Sequence, residues 1–259
     1  MKLTALITGA SKGIGAELAR TFASKNNNLI LVARSEKELN DLKQELENKF
    51  GISVKVIAKD LTKSENVRAV YDEIKAFGME VDYLVNNAGF GDFGYFDETE
   101  WGRHEQMINL NISALSQLCH LFIQDWIPRR SGKILNIAST SAFQPGPRMS
   151  VYFASKAFVV SFSQALEFEL RKHGITVTAL CPGPVKTNFG IAANMKHPNG
   201  FLKDMKTPSP KEVAEFGYNN MMKGKPLVIH GALNRFVANG VKFFPRKWVV
   251  KLSAKLISW

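Results

Sequence analysis

The sequence has little of what would indicate a disulfide-linked, metal-binding or membrane-spanning protein. Only two of its 259 residues are cysteines, Cys119 and Cys181, and the five histidines form no local cluster, so we expect no metal site. No apolar run approaches the roughly 20 residues of a membrane-spanning helix. The first residues carry too short an apolar stretch for a signal peptide. We therefore expect reduced thiols and a cytoplasmic location.

Acidic residues are scarce in the last quarter of the chain. The net charge is +11, and between Lys196 and Trp259 twelve Lys and Arg accompany only three Asp and Glu. A solvated basic face, anionic lipid, nucleic acid or an acidic substrate are all compatible with such a field. No recognition motif supports nucleic acid, so we do not expect it as a partner. The segment of about 236–259 also carries aromatic and aliphatic residues, which leaves pocket cover, a subunit interface and membrane-surface contact open.

Short apolar runs alternate along the chain with longer helical patterns. The helical patterns cover about 13–25, 36–49, 64–77, 98–127, 151–172 and 210–222. The predicted strands are Leu3–Thr8, Leu29–Ala33, Ser53–Ala58, Tyr83–Asn86, Lys133–Ile137, Thr176–Leu180 and Leu227–His230. Strands without polar alternation are typical of a sheet covered on both faces. We predict one α/β domain over 1–259, doubly wound and Rossmann-type, with a seven-stranded, mostly parallel sheet and helices on both faces.

A glycine-rich turn, Thr8–Gly15, follows the first predicted strand and opens the first helix. Glycines let the backbone approach a pyrophosphate, and the helix N-terminus offers free N–H groups. The spacing G-x-x-x-G-x-G resembles the cofactor turn of the short-chain dehydrogenase/reductase family. The turn residues expected to bind a dinucleotide are Gly9, Ser11, Lys12, Gly13, Ile14 and Gly15.

The end of the second strand lacks the acidic residue that usually holds the ribose 2′-hydroxyl of NAD. Arg34 stands there instead, and with Lys12 it can pair with a 2′-phosphate. The combination resembles the NADP-preferring branch of the family, so we expect NADP(H) as cofactor.

Other strand ends resemble further family motifs. The resemblance implies that Asp60 and Leu61 lie at the adenine and that an N-N-A-G segment lies against the adenosine. A P-G-x-V-x-T segment after the sixth strand is expected near the nicotinamide. These additional cofactor-binding candidates are Asn87, Ala88, Gly89, Pro182, Gly183, Val185 and Thr187.

Tyr152 and Lys156 are four residues apart and share one face of a predicted helix. A phenol has a pKa near ~10 and is a poor acid at neutral pH. We expect the ammonium, with an oxidised nicotinamide, to lower that pKa toward the working range. Both side chains are also expected to contact the cofactor.

The family resemblance, which covers about residues 3–231, completes a catalytic set of Asn111, Ser139, Tyr152 and Lys156. It implies that Ser139 binds the substrate oxygen and that Asn111 helps order a proton path to Lys156. Asn109 stands two positions before Asn111 and is the alternative candidate for the same role.

The predicted activity is hydride transfer between NADP(H) and a small-molecule carbonyl or secondary alcohol. A lid at about 188–208 and nearby aromatic residues favour a hydrophobic ketone, such as a 3-oxoacyl, steroid-like or aromatic one. The family resemblance also implies a homodimer or homotetramer through the helices around 98–127 and 151–172. The alternative is a non-catalytic NADP-binding redox sensor on the same fold.

Overall fold

The computed structural model of the chain describes residues 2–195 and 207–257. Seven strands form one sheet in which every pairing is parallel. The strands are β1 Thr4–Thr8, β2 Asn28–Ala33, β3 Val54–Ala58, β4 Tyr83–Asn86, β5 Gly132–Ile137, β6 Ile175–Cys181 and β7 Leu227–Ile229. Each predicted strand is confirmed, with bounds that differ by at most one residue.

Helices connect consecutive strands as predicted, and further helices follow β6 and β7. They are α1 Gly13–Ser24, α2 Glu36–Phe50, α3 Ser64–Ala76, α4 Trp101–Ile108, α5 Leu115–Arg129, α6 Ser150–Leu170, α7 Phe189–Ala192, α8 Pro210–Met222, α9 Ala232–Gly240 and α10 Arg246–Ile257. None of the helices in the described ranges has the length and apolar character needed to cross a bilayer.

The strand order is β3-β2-β1-β4-β5-β6-β7. The chain leaves β1 in one direction for β2 and β3, and it returns to the other side of β1 with β4. In such a sheet, ligands bind beyond the carboxyl ends of the strands, where the order reverses. The sheet therefore places the crevice for a ligand between the ends of β1 and β4.

Two buried cores cover the two faces of the sheet. Neighbouring residues of β1 point to opposite faces, so that Leu6 lies in one core and Ile7 in the other. Helices α3, α5 and α6 cover the first face, and α1, α2 and α8 cover the second. The predicted doubly wound α/β fold is confirmed, and the two cores fix the strand ends that carry the site.

The helix predicted at 98–127 differs from expectation. It begins at Trp101, and a π-helical turn, Asn109–Ala114, separates α4 from α5. Such π-turns inside helices often occur at functional sites. The sequence pattern gave no sign of it, because hydrophobic spacing does not distinguish one extra residue in a turn.

Candidate active site

The glycine turn after β1 allows very close backbone approach. Gly9 and Gly13 have φ of 64° and 56°, a region that L side chains rarely adopt. A Cβ on Gly15 would lie 2.2 Å from the Gly9 carbonyl oxygen, and a Cβ on Gly9 would lie 2.8 Å from the Cα of Ala88. Side chains at these positions would push the turn away from both α1 and the end of β4.

Asn87 fastens the glycine turn to the end of β4. Its Nδ2 donates to the carbonyl oxygens of Thr8 and Gly9, both at 3.0 Å. In return, the Thr8 hydroxyl accepts from the backbone N–H groups of Asn87 and Ala88, at 3.1 and 3.0 Å. The side chain of Asn87 therefore stabilises the conformation of the glycine turn. The sequence motif did not predict this structural role.

The loop after β6 closes against the same turn. A Cβ on Gly13 would lie 3.4 Å from the Thr187 methyl group, so these two segments are close neighbours. The Pro182 carbonyl accepts from the Thr140 N–H at 2.9 Å, which ties this loop to the end of β5. Gly183 leaves room for the Asn234 side chain, whose Nδ2 would lie 2.5 Å from a Cβ at that position.

Arg34 and Lys12 lie in different electrostatic surroundings. The Arg34 side chain is exposed, and no described residue forms an ion pair with it. The Lys12 Nζ instead lies 2.6 Å from Glu38 Oε1. Of the two predicted phosphate-binding cations, Arg34 is the one without a competing carboxylate partner.

Asp60 and Leu61 follow β3 as predicted. Asp60 Oδ1 accepts from the Thr62 N–H at 3.0 Å, and Leu61 is buried. This hydrogen bond fixes the turn before α3, while the predicted contact with adenine stays a prediction.

Tyr152 and Lys156 lie on α6 and are both buried. The Lys156 Nζ lies 5.8 Å from the centre of the Tyr152 ring, and it donates to the Ile137 carbonyl at 2.8 Å. The Ser139 side chain accepts from the Ser141 N–H at 3.1 Å and so caps the short 3₁₀ turn Thr140–Phe143, and it lies close enough to the Tyr152 phenol to favour the ionised form of that phenol. The fold thus brings the predicted Ser, Tyr and Lys together where β5 ends and α6 begins.

The side chains around Tyr152 do not by themselves produce the expected lowering of its pKa, which also relied on an oxidised nicotinamide. Burial raises the pKa of the Tyr152 phenol above its ordinary value, and the nearby hydroxyls of Ser139 and Ser141 only oppose the rise. Burial also lowers the pKa of the Lys156 ammonium to about 8, so this group still carries its charge at neutral pH. Ser141 is a site residue that the sequence interpretation missed.

Of the two candidate asparagines, Asn111 is the buried one, and its assignment to the proton path stays a prediction. Asn111 lies in the π-helical turn, where its Nδ2 donates to Ser155 Oγ and to the Phe90 carbonyl, both at 3.0 Å. A Cβ on Gly89 would lie 2.9 Å from Asn111 Oδ1 and 3.4 Å from Lys156 Nζ. The absence of a side chain at Gly89 therefore lets these two groups approach each other.

A family model for short chain dehydrogenases matches residues 3–197, three quarters of the chain. The chain belongs to the short-chain dehydrogenase family. Its resemblance to that family, first seen in the glycine turn and the Tyr–Lys pair, is confirmed.

Named relatives within this family differ in their substrates. The 17-beta-hydroxysteroid dehydrogenase type 3 of Mus musculus is 37% identical over 74% of this chain and 63% of its own length. The very-long-chain 3-oxoacyl-CoA reductase of Anas platyrhynchos is 35% identical over 71% of this chain and 60% of its own length. The matches thus span less than two thirds of either relative.

A solved structure, the short-chain dehydrogenase from Sphingobium yanoikuyae in complex with NADPH, is similar over nearly the whole fold. It shares 31% identity and a TM-score of 0.82, with 93% of this chain and 94% of that chain covered. That protein was solved with NADPH, and its fold is the fold described above.

The side chains packed around Tyr152 are apolar. Phe189, at the start of α7, packs on the Tyr152 ring with centroids 5.3 Å apart. A small buried cluster includes Tyr152 and consists of Met107, Met149, Tyr152 and Phe153, with Phe90, Phe93, Val151, Phe189 and Met195 packed against it. An apolar enclosure around a single phenol favours binding of the apolar part of a substrate there.

The first part of the predicted lid is fastened to the loop after β4. Asn194 Nδ2 donates to the buried Asp92 carboxylate at 2.8 Å, and the Phe93 N–H donates to the Ala193 carbonyl at 3.0 Å. Arg103 donates to the Ala192 carbonyl at 2.7 Å, and its Nε lies 3.6 Å from Asp92. We call these contacts the Asp92 latch. The remaining lid residues at 196–206, including Phe201, Leu202 and Met205, lie outside the described residues.

Proposed function

We propose that the chain is an NADP(H)-dependent oxidoreductase that interconverts a hydrophobic ketone and its secondary alcohol. The observation that carries this proposal is the burial of the Tyr152 phenol beside Ser139, in the same enclosure as the Lys156 Nζ. A buried acid beside a second hydroxyl donor is the arrangement that carbonyl reduction requires.

The residues around the glycine turn fit a dinucleotide. Gly9 and Gly15 let the turn pack tightly against Ala88 and Asn87, and Gly13 begins α1, whose N-terminus favours negative charge. The exposed Arg34 would hold the 2′-phosphate, which supports NADP(H) over NAD(H). The NADPH complex of the Sphingobium yanoikuyae enzyme is consistent with this preference.

Side chains of the protein would donate the proton that the reaction consumes. When bound, NADPH supplies a hydride to the carbonyl carbon. Tyr152 donates its hydroxyl proton to the carbonyl oxygen, and Ser139 donates a hydrogen bond to the same oxygen while its negative charge develops. A raised pKa keeps Tyr152 protonated until that oxygen becomes basic.

Lys156 and Asn111 complete the proposed site. Lys156 would bind the ribose hydroxyls through its Nζ, which the Ile137 carbonyl holds in place. Asn111 links the π-helical turn to α6 through Ser155 and would order the path by which Tyr152 regains a proton.

The apolar surroundings of Tyr152 support a hydrophobic substrate. Each buried methylene contributes about 0.8 kcal/mol, so a steroid-like, aromatic or long 3-oxoacyl ketone gains more from this enclosure than a sugar does. Two relatives are named as a hydroxysteroid dehydrogenase and a very-long-chain 3-oxoacyl-CoA reductase, and both names refer to hydrophobic substrates.

A screen of NADPH oxidation tests the proposal. The panel contains 3-oxoacyl thioesters, steroid ketones and aromatic ketones, with keto sugars as polar controls, and each substrate is measured with NADPH and NADH. We expect kcat/KM for the best apolar ketone to exceed that for the sugars by at least about tenfold, with NADPH preferred. Tight NADPH binding without turnover of any ketone would instead favour the non-catalytic redox sensor.

The location and the assembly of the chain are also proposals. We infer a homodimer or homotetramer through the exposed face of α6, where Ala154, Ala157, Phe158 and Phe168 reach solvent. A cytoplasmic location fits the two buried, unlinked cysteines. Within the described ranges, no group of three or more His, Cys, Asp or Glu side chains is arranged to hold a metal ion.

A further inference from the structure

The two C-terminal helices leave an unusual amount of apolar surface in solvent. Of the seventeen large apolar side chains that are exposed among the described residues, nine lie between positions 233 and 256. They are Leu233, Phe236, Val237, Phe243, Phe244, Trp248, Val250, Leu252 and Leu256. Phe243 is 87% exposed and Phe236 is 77% exposed, so these aromatic rings do not contribute to either core. A contiguous apolar surface of this kind indicates an interaction site.

The same segment carries charge of one sign. After Glu215 the sequence contains no Asp or Glu, while eight Lys and Arg occur between there and the last residue. Six of them lie on α9, α10 or the turn that joins these helices: Arg235, Lys242, Arg246, Lys247, Lys251 and Lys255. A partner for this surface must therefore be both apolar and anionic.

Helix α10 separates its residue types into adjacent rows. Trp248, Leu252 and Leu256 repeat every four residues and are 67%, 59% and 46% exposed. Lys247 and Lys251 form a second row, which lies beside the first because Lys251 follows Trp248 by three residues. Ser253 is buried and marks the face that packs on the protein. An apolar row flanked by lysines is typical of helices that lie in a membrane interface.

Helix α9 and the turn after it continue the exposed apolar surface. Ala238 is the buried residue of α9, whereas Leu233, Phe236 and Val237 lie together on an exposed face. Phe243 and Phe244 follow in the turn before α10. The apolar side chains thus extend over two consecutive helices and their connection.

We propose that α9, the turn Val241–Pro245 and α10 dock on an anionic lipid bilayer. The exposed aromatic and leucine side chains enter the interface, and the neighbouring lysines pair with lipid phosphates and carboxylates. This docking is peripheral and does not involve a membrane-spanning helix.

Charge complementarity favours lipid over a second copy of the chain. A two-fold symmetric contact through this surface would place the same lysines of both copies close to one another. Like charges at such short distances repel, and no carboxylate of the segment relieves the repulsion. An anionic bilayer offers the opposite charge together with an apolar interior.

Co-sedimentation of the full chain with vesicles tests the proposal. The vesicles are phosphatidylcholine alone or phosphatidylcholine with phosphatidylserine. We expect binding to the anionic vesicles at low salt and weaker binding at high salt. The triple variant Lys242→Gln, Lys247→Gln, Lys251→Gln should bind about 100-fold more weakly, given the usual contribution of each lysine near an anionic surface.

A matched triple variant separates docking from general attraction of a basic protein. Lys25→Gln, Lys49→Gln, Lys172→Gln changes the net charge equally at exposed positions elsewhere, and we expect it to bind like the wild type. The apolar variant Phe243→Ala, Trp248→Ala should lose binding at every salt concentration. Circular dichroism confirms that each variant is folded.

Three results would overturn the proposal. One is an equal loss of vesicle binding in the two lysine triples. Another is the absence of binding to anionic vesicles at low salt. The third is a chain that self-associates in sedimentation velocity, loses this association on Phe243→Ala, Trp248→Ala, and never binds vesicles, which would assign the surface to a second copy.

Discussion

The Tyr152 side chain is 8% exposed, and its ring is covered by Phe189 of α7. Sequence spacing is sufficient to predict that Tyr152 and Lys156 share a helix face. It cannot predict the direction of their pKa shifts, because burial depends on loops that are distant in the sequence. Ser141 escaped notice for the same reason, since its relevance arises only from the 3₁₀ turn that brings it to the phenol.

Lys156 is held in the site at a cost to folding stability. Burial lowers the pKa of its ammonium from 10.5 to about 8. Below about pH 8 the folded protein therefore carries a buried charge that the unfolded chain carries in water, which costs about 3 kcal/mol at 1.36 kcal/mol per pKa unit. From about pH 8 to 10.5 the unfolded chain binds more protons, and stability rises with pH until this cost is gone.

We predict that Lys156→Met raises the free energy of unfolding while it abolishes turnover. Loss of the hydrogen bond to the Ile137 carbonyl lowers the free energy of unfolding by about 1 kcal/mol. The free energy of unfolding at neutral pH should therefore rise by about 2 kcal/mol in total. The gain should disappear as the pH approaches 10.5. Urea denaturation at several pH values measures it, with Lys25→Met at an exposed position as control. A variant less stable than the wild type at neutral pH contradicts this account.

At the scale of elements, parallel strands explain why so much of the site was predictable. All carboxyl ends of such strands meet at one edge, so motifs after β1, β4, β5 and β6 had to converge there. The π-helical turn, the bracing role of Asn87 and the two C-terminal helices were not predicted. Asn87 is one example, since its bonds to Thr8 and Gly9 join residues nearly 80 positions apart.

The Asp92 latch ties α7 to the loop after β4 across 102 positions of sequence. We predict that Asn194→Ala raises KM for the ketone by about tenfold, because loss of a hydrogen bond to a carboxylate loosens Phe189 over Tyr152. Affinity for NADPH should change little. Steady-state kinetics and NADPH titration measure both quantities.

Asn188→Ala is the matched control for the latch, because Asn188 lies at the start of α7 with an exposed side chain and no side-chain cap hydrogen bond. Its KM should stay near that of the wild type. Equal KM changes in the two variants, or an unchanged KM in Asn194→Ala, would remove the latch from the account.

At the scale of the whole molecule, the ends of the strands carry the proposed site, and the C-terminal helices with their connecting turn carry nine of the seventeen exposed large apolar side chains of the described residues, together with six basic residues. The excess of basic residues was evident in the sequence. Their arrangement in rows on α10 could be recognised only once the first and last residues of that helix were known. A hydrophobic substrate and a lipid-docking surface are consistent with one another, since apolar ketones partition into bilayers. The two proposals still rest on different residues and can fail separately.

The central claim is that Tyr152 donates the proton to the substrate oxygen. The most direct test compares kcat and the NADPH dissociation constant of the wild type and Tyr152→Phe, with the best ketone from the screen. General acid catalysis predicts that kcat falls by about 10²–10⁴-fold, while the NADPH dissociation constant changes less than about threefold, which corresponds to well under 1 kcal/mol. A variant that reduces the ketone at nearly the wild-type rate would contradict the account.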